Sequence, residues 1–237
     1  VGRFEKGVDY IGDLDALLDA LKEAARGWPM TMAWIDCLTG GADMGRGILY
    51  RGRWATPAEA PAHAPRPKLR LRVPFRLPSF TMSPLSVRAF NAAVYHSHPS
   101  KLRRAVVSPE TFFYPLDSIR DWNLIYGSAG FTQHQAVLPD AAGRGAVRDY
   151  LRLLTSLRAA SFLCVIKDCG PQGRGLLSFP MPGTSIALDL PLRADTQQHI
   201  DQLNEYVIRA GGRIYLTKDA LTRPEHFRAM EPRLTDW

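Results

Sequence analysis

Apolar residues recur along this chain at two spacings, which predict a mixture of helices and strands. One helical stripe begins at Leu14, directly after Asp13, a residue type that caps helix N-termini. A second stripe follows residues 140–160, and a third begins after Asp195, a predicted cap, and ends at Gly211. Strands are predicted at residues 30–36, 46–51, 104–107, 131–138, 162–167, 175–179, 185–190 and 213–216, and further helices at residues 84–93 and from residue 224 onward.

The order of these elements defines the expected fold class. Strands follow one another between helices, which is typical of an α+β domain whose antiparallel sheet has helices packed on one face. Residues 55–84 contain seven prolines and form a predicted irregular excursion, and loops of that length usually serve a function or are disordered. We predict one domain over residues 1–210 and a final segment, 211–237, that belongs elsewhere.

Composition narrows the class of protein. Of 237 residues, 46% are hydrophobic and 22% are charged, as in folded soluble proteins, and no apolar run approaches the roughly 18 residues of a membrane span. The net charge of +7 fits an anionic partner, or an acidic domain missing from the chain. Because the chain begins at Val1 and ends at Trp237, we expect it to be a piece of a longer protein.

The candidate metal ligands and thiols predict no metal site. Cys37, Cys164 and Cys169 have no ligand spacing, and their sparse use favours a reducing, cytoplasmic compartment in which they are small buried hydrophobes. His96 and His98 alternate, as they would on one strand face, but no third ligand is identifiable.

The predicted strand at residues 131–138 carries an unusual polar pattern. A period of two puts Gln133 and Gln135 on the same face as Phe131 and Val137. A core face is normally apolar, and buried amides need hydrogen-bond partners, which a polar ligand can supply. A binding role and a structural role for these amides both remain open on this pattern alone.

Four sequence motifs resemble one protein family. FFYPLDSIRDWNLIYG, GFTQHQAVLP, FLCVIKDCGPQGRGLLSFPMPG and GGRIYLTKDALT are similar to the C-terminal part of bacterial FAD-linked oxidoreductases of the vanillyl-alcohol oxidase superfamily. The similarity is densest over residues 112–237 and continues back to about Leu14. The resemblance implies that this chain is the substrate-binding cap domain and that an FAD-binding domain is absent from it.

The resemblance also implies a reaction. The family member would oxidise a secondary hydroxyl of a sugar or sugar-like alcohol by hydride transfer to FAD, while the protein supplies orientation and electrostatics. It implies a polyprenyl-phosphate-sugar-like substrate and a partner subunit that reduces the ketone product. The alternative from the residues alone is a non-enzymatic antiparallel-sheet module that binds an anionic ligand.

Five residues of this sequence match pocket residues of the family. Lys218 matches a lysine near the flavin and the substrate, which implies a catalytic and cofactor-binding role rather than that of a surface lysine. Gln133 and Gln135 match a glutamine pair that lines the pocket. Trp122 matches a pocket tryptophan, although core packing is an alternative, and Lys167 matches a lysine that faces the pocket.

Three further positions depart from the family pattern. Phe113 stands where a tyrosine is expected, Ser185 replaces an asparagine, and Ala187 replaces a cysteine that covalent inhibitors attack. We therefore expect a different substrate and resistance to thiol-trapping inhibitors. Asp117 and Arg120 are interpreted as a weak structural ion pair rather than as an acid-base pair.

Residues 66–76 alternate cations with hydrophobic residues beside the Pro-rich excursion. Such a segment predicts contact with an anionic membrane surface, which adds about 1 kcal/mol per basic residue. A charged edge strand is the alternative. A nucleic-acid partner is not predicted, because the chain has no recognised nucleic-acid-binding module.

Overall fold

An eight-stranded sheet in which every neighbouring pair is antiparallel lies at the centre of the molecule. The computed structural model describes residues 4–63, 65, 71–97, 103–158 and 161–236. The strands are, in chain order, β1 (Phe4–Ile11), β2 (Met30–Ile35), β3 (Gly47–Trp54), β4 (Leu71–Arg72), β5 (Arg103–Val107), β6 (Ile119–Arg120), β7 (Phe131–Pro139), β8 (Cys164–Cys169), β9 (Gly183–Pro191) and β10 (Arg213–Ile214). Eight of them follow the spatial order β10-β7-β9-β8-β2-β3-β1-β5, while β4 and β6 form a separate parallel pair.

Three of the four longest helices cover one face of this sheet. The helices are α1 (Leu14–Ala25), α2 (Pro84–Ser97), α3 (Pro109–Phe113), α4 (Gly143–Ser156), α5 (Thr196–Arg209) and α6 (Pro224–Met230). α1 contacts β2, β3 and β8, while α4 and α5 contact β7, so their apolar stripes and the strands share one core. The predicted α+β class with an antiparallel sheet is confirmed.

The ends of the helices test the predicted caps. Asp13 caps α1 as expected, because its carboxylate accepts the backbone N–H of Ala16 at 2.9 Å. The predicted cap of α5 is wrong. Asp195 already has helical backbone angles and makes no capping bond, and the hydroxyl of Thr196 instead accepts the N–H of Arg193 at 2.8 Å.

β1 is a strand that the apolar pattern does not predict. Glu5 and Asp9 lie on one of its faces and pair with Arg53 and Arg51 of the neighbouring β3. The charges that compensate these carboxylates are therefore on another strand. The pattern of β1 alone cannot reveal them.

The predicted strand at residues 175–179 is wrong, because this segment is a turn. Side chains bind its backbone in place of a neighbouring strand. Arg213 and Arg233 both donate to the carbonyl of Ser178, at 3.0 and 3.1 Å, and the N–H of Gly173 donates to the Ser178 hydroxyl at 2.9 Å. The glycine-rich stretch before it is likewise a turn, as expected.

Residues after 210 pack on the main core. β10 pairs with β7 at the edge of the sheet, and Ile214 and Met230 are both buried in the same cluster as the three long helices. The predicted boundary at residue 210 stays a prediction.

The described part of the Pro-rich excursion is largely irregular but attached to the rest. Val73 donates its N–H to Arg120 and Leu77 to Leu124, both at 3.0 Å, and Met82 is buried in the core. Residues 64 and 66–70 lie outside the described residues, so the predicted basic stretch is described only from Leu71 onward.

We expect Gly183→Ala to destabilise the fold by about 1–3 kcal/mol. A Cβ at Gly183 would lie 2.2 Å from the carbonyl oxygen of Leu138 on β7, so the β7–β9 ladder must shift. Urea unfolding of the chain measures the effect. Gly145→Ala is the matched control, because this position is in α4 with open space around it and the change should stabilise by roughly 0.5–1 kcal/mol. Equal stability of Gly183→Ala and the wild type would contradict the close strand approach.

Candidate functional site

The two glutamines of β7 lie on the sheet face opposite α4 and α5. The predicted alternation is confirmed, but the amides are not in the core: Gln133 and Gln135 are half-buried, whereas His134 and Ala136 are buried beneath the helices. The glutamine face is instead covered in part by α3 and by two short 3₁₀ segments, Pro115–Ser118 and Trp122–Tyr126. The space between this cover and the sheet is the candidate site.

A cavity of about 350 Å³ occupies that space. It combines apolar walls with a few polar groups, as small-molecule sites do. Seven of the eight residues predicted as site residues line it, namely Phe113, Trp122, Gln133, Gln135, Lys167, Ala187 and Lys218. The eighth, Ser185, is buried and does not line the cavity, but it accepts a hydrogen bond from Gln135 Nε2 at 3.1 Å. The fold thus brings together residues that are up to 105 positions apart, Phe113 and Lys218.

Lys218 reaches this cavity because of the β10–β7 pairing. The N–H of Tyr215 donates to the Gln135 carbonyl at 2.8 Å, and the chain then turns so that Lys218 N–H donates to Tyr215 at 2.8 Å. The ammonium group of Lys218 donates to Gln133 Oε1. A cation is therefore held at the wall of the cavity.

Asp189 extends this contact into a chain of hydrogen bonds. Its side chain is 1% exposed and accepts Gln133 Nε2 at 2.7 Å and the Tyr126 hydroxyl at 2.9 Å. Burial raises the pKa of Asp189, although the bonds from Gln133 and Tyr126 and the charge of Lys218 act in the opposite direction. Burial, with the nearby Asp189 charge, also raises the pKa of Tyr126, so its hydroxyl remains a donor.

Sequence reasoning missed Asp189 and Tyr126. The available signal was an aspartate within the apolar run S-I-A-L-D-L, two residues from Ala187 and so on the same face of β9. A lone charged residue in a buried strand requires partners, and the partners lie 56 and 63 residues away.

Aromatic rings form the upper wall of the cavity. Trp122 packs against Phe131 with ring centroids 5.3 Å apart and against Tyr126 at 6.3 Å, so it is both packing residue and cavity lining. Phe113 packs against Phe4 at 5.3 Å and is 42% exposed. At this position the wall is apolar.

The predicted pairing of Asp117 with Arg120 is wrong. Asp121 instead accepts Arg72 Nε at 2.7 Å, and these two residues are both exposed. The parallel pairing of β4 with β6 places Arg72 beside this segment, a contact between residues 49 apart that local spacing does not indicate. The pair joins the Pro-rich excursion to the segment that carries Trp122.

None of the three cysteines, all of which the structure describes, lines this cavity. Cys37 and Cys164 are buried, and a hydrogen bond between the two thiols together with burial raises the pKa of Cys164. No group of three His, Cys, Asp or Glu side chains within the described ranges is placed to hold a metal ion. His96 lies in α2 rather than on a strand, and His98 is outside the described residues.

None of the helices in the described part of the chain is long and apolar enough to span a membrane.

A second cavity of about 260 Å³ lies between α1 and α4, and its polar groups are paired with one another. Lys22 binds Asp168 at 2.9 Å and Asp140 at 3.2 Å, and Arg144 pairs with Asp19. Because its charges are compensated within the protein, we place the candidate site on the opposite face of the sheet.

The fold and the comparisons agree on a class of protein. A large antiparallel sheet with helices on one face is consistent with the cap domain of FAD-linked oxidases. The chain is 30% identical over 244 aligned residues to decaprenylphosphoryl-beta-D-ribose oxidase of Mycolicibacterium smegmatis, and this alignment covers 97% of the chain. It is also 29% identical over 239 residues, 95% of the chain, to a Streptomyces coelicolor protein described as uncharacterised, in the mprA 5′ region.

These similarities confirm the resemblance to a partial, C-terminal region of an FAD-linked oxidase. The chain spans 51% of the length of the first relative and 64% of the second. No protein-family model matches the chain.

We expect the stability of the chain to fall as the pH drops below 6.5, because of His134. Burial lowers the pKa of His134 from 6.5 to about 4, while its ring nitrogens bond Asn204 at 2.9 Å and Tyr150 at 3.0 Å. Between these values the unfolded chain binds a proton that the native chain does not. The contribution of His134 to the free energy of unfolding is therefore fully present above pH 6.5. It is lost as the pH falls from 6.5 to about 4, by about 3 kcal/mol in total.

Urea unfolding at a series of pH values measures this dependence. This decline should be missing from the pH profile of His134→Gln, which has a lower stability at neutral pH. His63→Gln, at an exposed position, should reproduce the wild-type profile. An unchanged pH profile in His134→Gln would show that other groups cause the decline.

Proposed function

We propose that this chain is the substrate-binding part of an FAD-dependent oxidoreductase that oxidises a secondary hydroxyl of a sugar or sugar-like alcohol. The observation that carries the proposal is the cavity wall formed by Lys218, Gln133 and Gln135, in a chain related over nearly its whole length to an oxidase of a ribose derivative. Carboxamides bind hydroxyl groups through both donors and acceptors, which suits a sugar.

The donor set of the cavity fits a flavin. Lys218 is half-buried on this wall, and one of its three N–H groups is committed to Gln133. The remaining N–H groups can stabilise negative charge on a flavin or on the substrate oxygen. A bound FAD would supply the hydride acceptor for the carbinol carbon, and it would be held mainly by a domain in the rest of the protein.

Gln135 keeps hydrogen-bonding groups free to orient the substrate. Gln135 donates one N–H to Ser185, so its carbonyl oxygen and second N–H remain for a hydroxyl. Trp122 and Phe113 supply apolar surface, and the small side chain of Ala187 leaves room beside Gln135. These groups orient the substrate and limit the access of water.

A polyprenyl-phosphate-sugar-like substrate is supported by a neighbouring cavity. This cavity, of about 470 Å³, shares Met32, Phe113 and Lys167 with the candidate site and continues to Trp28 and Pro29. Trp28, Pro29 and Met32 give it apolar surface that suits a prenyl chain. Lys167 is exposed at the junction of the two cavities, where a cation can bind a phosphate group.

Contact with a membrane surface follows from such a substrate. Leu71 and Phe75, within the basic segment 66–76, and Phe80, four residues after it, expose 62–72% of their surface. We propose that this segment approaches the cytoplasmic face of a membrane and that a partner subunit reduces the ketone product. Nucleic acid is not proposed as a partner.

The alternative of a non-enzymatic module for an anionic ligand is less well supported. It accounts for the cation of the cavity but not for similarity to an oxidase over 97% of the chain. An experiment on the full-length protein distinguishes the enzyme from the binding module. An enzyme carries FAD that is reduced when a polyprenyl-phosphate pentose is added without oxygen, whereas a colourless full-length protein that binds this pentose favours the module.

We expect Lys218→Ala in the full-length protein to slow flavin reduction by on the order of 10²–10³-fold, because the cation at the reaction centre is lost. Anaerobic single-turnover absorbance measures the rate. Lys22→Ala is the control, since this lysine lies in the other cavity and should leave the rate unchanged. A wild-type rate in Lys218→Ala would remove this residue from the site.

We expect Lys167→Gln to raise the KM for a polyprenyl-phosphate sugar by about tenfold, since a charged hydrogen bond to phosphate is lost. Steady-state kinetics with the same sugar lacking phosphate provide the control, and this KM should not change. An equal rise for both substrates would assign Lys167 to the sugar or to the fold.

A further inference from the structure

Asp189 is a buried carboxylate in a strand that is otherwise apolar at this level. Leu188 and Leu190 on either side are 2% exposed and belong to the core on the helix face. The two oxygens of Asp189 accept two different donors, Gln133 Nε2 at 2.7 Å and the Tyr126 hydroxyl at 2.9 Å. Burying a carboxylate is costly, so its retention beside the cavity calls for a role.

The contacts of Asp189 determine how the Gln133 amide is oriented. An ionised carboxylate accepts hydrogen bonds and cannot donate, so the NH₂ group of Gln133 must face Asp189. The carbonyl oxygen of Gln133 must then face the other way, where it accepts the ammonium of Lys218. A reversed amide would place oxygen against carboxylate and NH₂ against ammonium, so both neighbours select one orientation.

Tyr126 holds the carboxylate from the other side. Its ring stacks on Phe131 with centroids 4.3 Å apart and packs against Phe162 at 4.9 Å, which fixes the position of its hydroxyl. Asp189 therefore has a rigid anchor on one oxygen and a glutamine on the other.

We infer that Asp189 is a positioning residue that fixes the Gln133 amide and, through it, keeps the Lys218 ammonium in the cavity. This inference rests on the proposed function, in which Lys218 acts on the reacting oxygen. Asp189 acts through Gln133 and does not itself touch the reacting atoms. Tyr126 assists by holding Asp189.

The kinetic test uses the full-length flavoprotein and an isosteric change. Asp189→Asn can present either an N–H or an oxygen to Gln133, so the amide loses its single orientation. We expect the rate of flavin reduction at saturating substrate to fall by on the order of tenfold to a hundredfold, with a smaller fall in Tyr126→Phe. Asp36→Asn is the matched control, because Asp36 is also fully buried but pairs with Arg46, away from the cavity. Its rate per bound flavin should equal that of the wild type.

A double-mutant cycle distinguishes positioning from a general structural effect. In a Lys218→Met background, Asp189→Asn should change the remaining rate by less than about twofold, because the residue it acts through is gone. If the two substitutions instead act independently, so that their fold-reductions in rate multiply in the double variant, the inference is overturned. If Asp189→Asn does not fold, Tyr126→Phe takes its place in the same cycle and is judged by the same two results.

A structural readout keeps this inference separate from the proposed function. The side-chain amide signals of Gln133 in the NMR spectrum of the full-length protein should shift in Asp189→Asn and Tyr126→Phe but not in Asp36→Asn. Unchanged Gln133 signals would overturn the positioning role. If the wild-type flavin is not reduced by the lipid-linked sugar, the proposed function fails, while the NMR result still decides whether Asp189 orients Gln133.

Discussion

The antiparallel register of β7 and β9 is the constraint on which the candidate site depends. It places Gln133 opposite Asp189 and Gln135 opposite Ala187, so a glutamine pair faces one carboxylate and one small side chain. A slip of one residue would turn every one of these side chains toward the helices. On the helix face, the same alternation places His134 against Asn204 and Tyr150 beneath α4 and α5.

Electrostatics within the cavity follow from this register. A single line of contacts runs from the Lys218 ammonium through the Gln133 amide to the Asp189 carboxylate and the Tyr126 hydroxyl. The opposite charges are separated by one neutral side chain, so the cation is held in place without being neutralised by direct contact. Such preorganised charge is what a reaction that develops charge on an oxygen requires.

The sequence predicted the fold class and most helices and strands because their apolar periods are local. It failed where the compensating partner is distant: β1 is paired through Arg51 and Arg53, and the segment at residues 175–179 is held by Arg213 and Arg233. For the site, family resemblance supplied residues that the structure brings to one cavity. Asp189 was not among them, because nothing in its neighbouring residues indicates a partner 56 positions earlier in the chain.

The central claim is that the glutamine face of the sheet binds the substrate. A crystal structure of the full-length protein with a non-oxidisable polyprenyl-phosphate pentose tests it most directly. We predict that the sugar hydroxyls lie within hydrogen-bond distance of Gln135 and Lys218, with the phosphate near Lys167. A sugar bound in the cavity between α1 and α4, or away from the glutamine face, would contradict the account.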